Sequence, residues 1–370
     1  MKSKILETTR EKRCDGAHVK RLKLLGVTIY KRISGFHGST QYLFGVRVKC
    51  RGNRDRKIDL VYSWVDGADK EWLKKKSDHS DQQLDQHIEL TCEGRFANSD
   101  ELLFSLRSID KYARWINHIY IITDNQTPKW LNTNHPKITI VDHREIIDEQ
   151  HLPTFNANVI EVAITNIEGL SEHYLFANDD MLFANRTSPE EFFTNGGKPI
   201  IRLQQLSVQH SRNFYCGTNP YEMMLEQSNA IIEADFGYNW RRYIAAHQID
   251  AYSKSAVKEC IAQYSDKISA TMKNRFRQSG DIQRHLYSLY ALSKDHGELR
   301  ILENSKGRKN EHLYCDMSNP KLKKLIRRVR PMLLCVNDTE RCNNADRIRY
   351  KEAMADIFPR KSNFEIRRQN

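Results

Sequence analysis

Three apolar runs that each stop at a carboxylate set the frame for this chain of 370 residues: VYSWV before Asp66, IYIIT before Asp124, and YLFA before Asn178-Asp179-Asp180. Each run is short and rich in β-branched or aromatic residues, so each reads as a buried strand. KITIVD (137–142) reads as a further strand. Helical spacing lies between them. In SDELLFSLRSIDKYA (99–113), Ser99 is placed to cap, Asp100 and Glu101 fall in the first turn, and apolar residues follow at 102, 103, 106 and 109. ANVIEVAITNI (157–167) is also helical. Strand and helix alternate, so the fold expected is α/β, with a mainly parallel sheet flanked by helices. In open sheets of this kind ligands bind outside the carboxyl ends of the strands, and the acidic strand ends converge on that rim. Any one of them alone is also an ordinary Asx turn.

Adjacent carboxylates repel each other and are costly to desolvate unless a cation or donors compensate. An acidic cluster at a sheet rim suits Mg²⁺ or Mn²⁺, which take oxygen ligands and share a substrate's phosphates. The chain has neither a G-x-x-x-x-G-K-[ST] loop nor G-x-G-x-x-G, so the ATPase and dinucleotide readings lose their best support. A metal–diphosphate at a strand-end acidic pair points instead to nucleotide-sugar chemistry.

The net charge of +12 is unevenly placed. Residues 1–57 hold 16 Lys and Arg against 4 Asp and Glu, so this segment accounts for the whole excess and the body is neutral. Such a segment suits an anionic lipid surface, a capsule-assembly complex, an acidic polymer or nucleic acid, or is simply a solvated arm. It contains two Gly-led echoes, LLGVTIYKR (24–32) and LFGVRVKCR (43–51), each expected to form a short strand. No run approaches the roughly 18 apolar residues of a membrane-spanning helix, and MKSKILETTR lacks an apolar core. Eight scattered cysteines without a C-x-x-C pair read as reduced thiols. The expected location is cytoplasmic, peripheral on the inner face of the membrane. Helices are expected at 188–193, 220–233 and 281–293, and KLKKLIRRVR (321–330) forms an amphipathic basic helix that suits a phosphate-rich substrate, a membrane or plain solvent.

IDLVYSWVDG (58–67), RFANSDELLFSLRSIDKYARWINHIYIITDNQTPKWL (95–131), HLPTFNANVIEVAITNIEGLSEHYLFANDD (151–180) and LLCVNDTE through IFPRKSNFE (333–365) resemble, in order and spacing, the four conserved regions of the Stealth family. The departures are small, such as Glu168 and Asn363. The resemblance implies a nucleotide-sugar-binding (GT-A-like) core with a helical insertion. It divides the chain into a basic segment (1–57), a catalytic domain (58–365) with a variable, partly helical acceptor region at 186–330, and a short tail (366–370). It also implies a bacterial capsular or exopolysaccharide phosphotransferase, similar to the eukaryotic enzyme that makes the mannose-6-phosphate tag. Such an enzyme moves a sugar-1-phosphate from a UDP-sugar donor to an acceptor polysaccharide, releases UMP, and uses Mg²⁺ or Mn²⁺. The alternatives are a metal-dependent glycosyltransferase releasing UDP and a nucleic-acid-binding protein. The second has only the local charge in its favour, and no nucleic-acid motif is present.

Within that frame Asp179 and Asp180 are the candidate metal ligands and base, with Asn337-Asp338 as a second metal or phosphate element. His210 is a candidate acid or base. Arg275 and Arg277 are candidate phosphate clamps, with Asp281 placed to orient one of them. Asp59, Trp64 and Asp66 fall where a uracil or ribose is read, although Trp64 equally suits the core. Arg95, Asn98, Glu101, Ser105 and Arg107 are assigned to donor binding and Asp124 and Gln126 to the sugar, while Asn156 caps its helix or contacts substrate.

Overall fold

The computed structural model describes residues 6–13, 16–24, 27–35, 38–52, 56–80, 94, 96–207, 219–302 and 311–366. Arg95 and His210 lie outside the described residues.

The basic N-terminal segment is more ordered than its sequence suggests. It forms a five-stranded antiparallel meander of β1 (Leu6–Lys12), β2 (His18–Leu24), β3 (Val27–Gly35), β4 (Gly38–Leu43) and β5 (Val46–Gly52), rather than two short strands. The two expected strands overlap β3 and β5, and the others, LETTREK, HVKRLKL and GSTQYL, are too polar to announce themselves by hydropathy. One end of the sheet docks on the body. A Cβ on Gly16 would lie 2.5 Å from Gly196 Cα, and one on Gly35 would lie 2.7 Å from the Asn195 carbonyl oxygen. Ala17 and Val19 are buried at this end.

The central sheet contains β6 (Ile58–Ser63), β7 (Ile119–Thr123), β8 (Ile138–Asp142), β9 (His173–Asn178) and β13 (Asp250–Ser253), in the order β13-β9-β6-β7-β8. β9, β6, β7 and β8 run parallel, and β13 is an antiparallel edge. The α/β expectation therefore holds. Register fixes what matters for function. Ser63 lies opposite both Asn178 and Ile122, so Trp64, Asp124 and Asp179 emerge at one rim. Two smaller sheets extend this frame. One comprises β10 (Met181–Phe183), β15 (His312–Asp316) and β16 (Leu333–Asn337), and the other β11 (Ile200–Gln205), β12 (Tyr243–Ala245) and β14 (Glu298–Leu302). β10 follows β9 after only Asp179 and Asp180 and pairs antiparallel with β16, which brings Asn337-Asp338 to the same rim.

The helix Glu101–Tyr112 covers the sheet with Leu102, Leu106 and Ile109, and Ser105 and Ser108 tie it to β10 by bonding the Met181 carbonyl and the Phe183 amide. Leu322–Val329 is helical as expected, but its apolar stripe is core. Leu322 and Ile326 are buried with Tyr350, Met354 and Phe358, so only its basic face looks outward. The region 186–330 includes the helices Pro220–Phe236, Lys254–Gln263, Ser265–Met272 and His285–Ser293. Among the described residues no helix is long and apolar enough to cross a membrane.

Candidate active site

A cleft of about 500 Å³ opens at the rim where β6, β7, β9 and β16 end. Its floor is the Asp179-Asp180 step between β9 and β10. The Asp180 carbonyl accepts from the Val336 amide at 3.1 Å, which pins the step to β16. The Cys335 thiol donates to Asp180 Oδ2 at 3.2 Å, whereas the buried Oδ1 has no partner. Burial and the charge of Asp180 push the Asp179 carboxyl up to about 8. Burial pushes Asp180 up to about 6 against the lowering effects of Cys335 and Arg284. Glu101 enters the same cleft, accepts from the Ser99 amide at 2.5 Å, and is raised well above the carboxylate range by burial, Asp179 and Asp180. Three crowded carboxyls and an orphaned oxygen form a site that a cation would relieve.

Asp338, beside them, is held by Arg347 at 2.7 Å, and the Asn337 amide donates to the Tyr314 hydroxyl at 3.0 Å. Asp180, His247 and Cys335 bring one donor atom each within 4.8 Å of one another. The residues present thus fit a divalent cation. Their chemistry is mixed: carboxylate oxygens suit hard ions, while imidazole and thiol suit softer ones.

The opposite wall is built on Arg284, which lies 5.3 Å from the Phe176 ring centroid and pairs with Glu161 and Asp250 at 3.2 Å each. The two carboxylates raise the guanidinium's affinity for its proton against the cost of burial, and burial pushes Asp250 up to about 6. His285 is driven down to about 3 by burial and by Arg284, so it stands neutral. On the β7 side both Asp124 oxygens accept from Lys75 Nζ at 2.8 Å.

The structure brings Trp64, Glu101, Asp124, Asp179, Asp180, Arg277, Asn337 and Asp338 together in the cleft wall. Other candidates lie elsewhere, each for a visible reason. Asp59 sits at the start of β6, away from the rim, and is buried accepting from the Asn117 side chain and the Ser171 amide. Asp66 closes an Asx turn with the Ala68 amide, and its backbone exchanges two hydrogen bonds with the Gln126 amide. Asn98 accepts from the Asp100 amide at the head of the helix. Ser105 bonds the Tyr62 hydroxyl inside the core as well as β10. Arg107 faces away from the cleft and forms a two-pronged pair with Glu365, with a third bond to the Phe358 carbonyl. Asn156 caps the helix Ala157–Ala163. Asp281 is fully buried and orients no arginine. It accepts from Asn156, Asn158, Asn274 and the Gln278 amide. Arg275 donates to the Pro153 carbonyl at 2.9 Å, so these groups fasten segment 274–281 beneath the site.

Sequence reasoning missed His247, Cys335, Arg284 and Glu161. Cys335 sits two residues before the noted Asn337, inside a run that reads as pure strand. Arg284 lies just inside the predicted 281–293 helix, where basic residues are ordinary.

The fold and the cleft define a mixed α/β protein with an acidic, cation-fitting centre at the carboxyl rim of its sheet. Family models for Stealth protein CR1, conserved region 1, and CR2, conserved region 2, match residues 56–82 and 95–201. The blocks noted at 95–131 and 151–180 both fall within the second. A capsular polysaccharide phosphotransferase of Haemophilus influenzae is 31% identical over 300 residues, covering 78% of this chain and 79% of that protein. One from Neisseria meningitidis is 36% identical over 61% of this chain and 62% of its own length. An exopolysaccharide phosphotransferase of Streptomyces coelicolor is 31% identical over 78% of this chain, which spans only 47% of that protein. A galactosyltransferase solved with donor and acceptor sugar analogues overlaps 81% of this chain and 96% of its own, at 9% identity and a TM-score of 0.39. The chain belongs to the Stealth family.

Proposed function

We propose that the protein is a phosphotransferase that moves a sugar-1-phosphate from a UDP-sugar to a hydroxyl of an acceptor glycan, releasing UMP and building a phosphodiester-linked capsular or exopolysaccharide. The observation that carries this reading is the Asp179-Asp180 step, with its unpartnered Asp180 Oδ1 facing crowded carboxyls at the rim. The phosphotransferase names of the relatives support it.

Mg²⁺ or Mn²⁺, held by Asp180 with Asn337 and Asp338, would supply charge neutralisation of the donor diphosphate. Asp179 in its ionised form, with a proton affinity raised by burial and by Asp180, accepts the proton of the acceptor hydroxyl. The acceptor oxygen bonds to the sugar-bearing phosphorus as the bond from that phosphorus to the bridging oxygen breaks, and UMP departs with the electron pair. Arg277 binds the phosphate oxygens, while Trp64 lines the nucleoside side of the cleft. Lys75 fixes Asp124 for the sugar hydroxyls. Phosphoryl transfer asks chiefly for such positioning and charge stabilisation.

A screen of UDP-GlcNAc, UDP-ManNAc, UDP-Glc and UDP-Gal with acceptor glycan, reading the nucleotide released with and without EDTA, tests the proposal. It expects metal-dependent UMP from one donor. Accumulation of UDP would assign the protein to glycosyl transfer instead.

A further inference from the structure

The N-terminal meander ends in an exposed apolar edge. β1 starts, β2 ends, β3 starts, β4 ends and β5 starts at the same end of the sheet, with Leu6 opposite Leu24, Leu24 opposite Val27, and Leu43 opposite Val46. Among the described residues, Leu6, Leu24, Val27, Leu43, Phe44 and Val46 at this end are all exposed, with Val27 at 65%, Phe44 at 71% and Val46 at 67%. This end is the one opposite Gly16 and Gly35, which dock the sheet on the body. Strands of 7–9 residues therefore hold the edge about 20 Å from that contact.

The tip carries a second, independent sign. Phe44 and Gly45 turn the β4–β5 hairpin with φ of 46° and 81°. That left-handed pair is normally given to Asn-Gly, and a bulky side chain there is uncommon and strained. Strain kept by a side chain that is 71% exposed points to a use outside the fold. The strands behind the tip belong to the segment with 16 basic and 4 acidic residues, and Lys20, Lys23, Lys31 and Arg32 stand along β2 and β3.

We propose that this edge is a membrane-docking surface: Phe44, Val46, Val27 and their apolar neighbours enter the interface of an anionic lipid bilayer while the basic strands meet its headgroups. Apolar insertion and attraction to anionic lipid reinforce each other in such surfaces. Contiguous exposed apolar side chains on an otherwise polar, basic sheet are what a bilayer interface accommodates and bulk water does not. The proposal rests on the sheet alone and stands or falls separately from the phosphotransfer reading.

The test is co-sedimentation of the full chain with phosphatidylcholine vesicles, with and without about one third phosphatidylglycerol. Wild type should bind the anionic vesicles and lose that binding as salt rises from about 0.05 to 0.5 M. Phe44→Ser with Val46→Ser should weaken it at least about tenfold with an unchanged thermal midpoint. Lys20→Gln with Lys23→Gln should weaken it more modestly and flatten the salt dependence. Equal binding to neutral vesicles, or unchanged binding by the tip variant, overturns the proposal. So does a concentration-dependent dimer that the tip variant dissolves, which would give the edge to a second copy.

Discussion

Replacing Asp179 with Asn should stabilise the metal-free protein, increasingly so as pH rises. The carboxyl is pushed from 3.8 up to about 8, by burial first and by Asp180 second. The native state therefore holds this proton where the unfolded chain has released it. The stability tied to that proton is complete below about pH 4 and is lost as pH climbs through about 8. Each unit is worth about 1.4 kcal/mol, so between about pH 5 and pH 8 the native state forfeits at most about 4 kcal/mol on this account. Asp179 retains contact with solvent through the cleft, and part of the repulsion is shared with Asp180. Both reduce the difference to about 1–3 kcal/mol, or a few degrees in Tm. Asn has nearly the same shape and no charge to desolvate. Thermal unfolding of wild type and variant in EDTA, at about pH 5, 6.5 and 8, measures the effect. A gain at pH 8 no larger than at pH 5, or a variant less stable than wild type at pH 8, would refute the account of the crowded carboxyls.

Three further outcomes follow from particular contacts. Arg107→Ala should cost about 2–4 kcal/mol in unfolding experiments by stranding Glu365, yet leave the KM for donor unchanged, because Arg107 is remote from the cleft. Arg284→Leu should cost about 3–5 kcal/mol, since Glu161 and Asp250 would face each other uncompensated, and lowering the pH to about 5 should recover part of this as Asp250 takes up a proton. In Asp180→Asn, metal-stimulated turnover should fall at least about a hundredfold with no loss of Tm, because the variant also removes a buried carboxyl pushed up to about 6, and near-normal turnover would return the step to a structural turn.

The strand-and-helix alternation was enough to read the central sheet, because buried parallel strands are continuous apolar runs and their helices carry a clean period. The rim was legible for the same reason: strand ends are sharp in sequence, and Asp124, Asp179 and Asp180 stand at them. Asp66 shows the limit of that logic, since its side chain spends itself on a local turn. Arg107 and Asp281 are polar residues in strongly patterned blocks that serve packing, and nothing local separates a buried tie from a substrate contact. His247 and Arg284 come from 186–330, where the family signal is weak, and only tertiary folding brings them near Asp180. The meander is only partly legible in the sequence: β3 and β5 alternate β-branched with basic residues, whereas LETTREK, HVKRLKL and GSTQYL carry no such run.

In the proposed reaction the sugar-bearing phosphorus, not the sugar alone, moves to the acceptor. The most direct measurement uses a UDP-sugar labelled with ³²P at the sugar-bearing phosphorus, incubated with metal-loaded protein and acceptor glycan. The label should enter the polymer, unlabelled UMP should be released in equal amount, and Asp180→Asn should transfer at least about a hundredfold less. Label retained in UDP beside an extended, unlabelled polymer would contradict it.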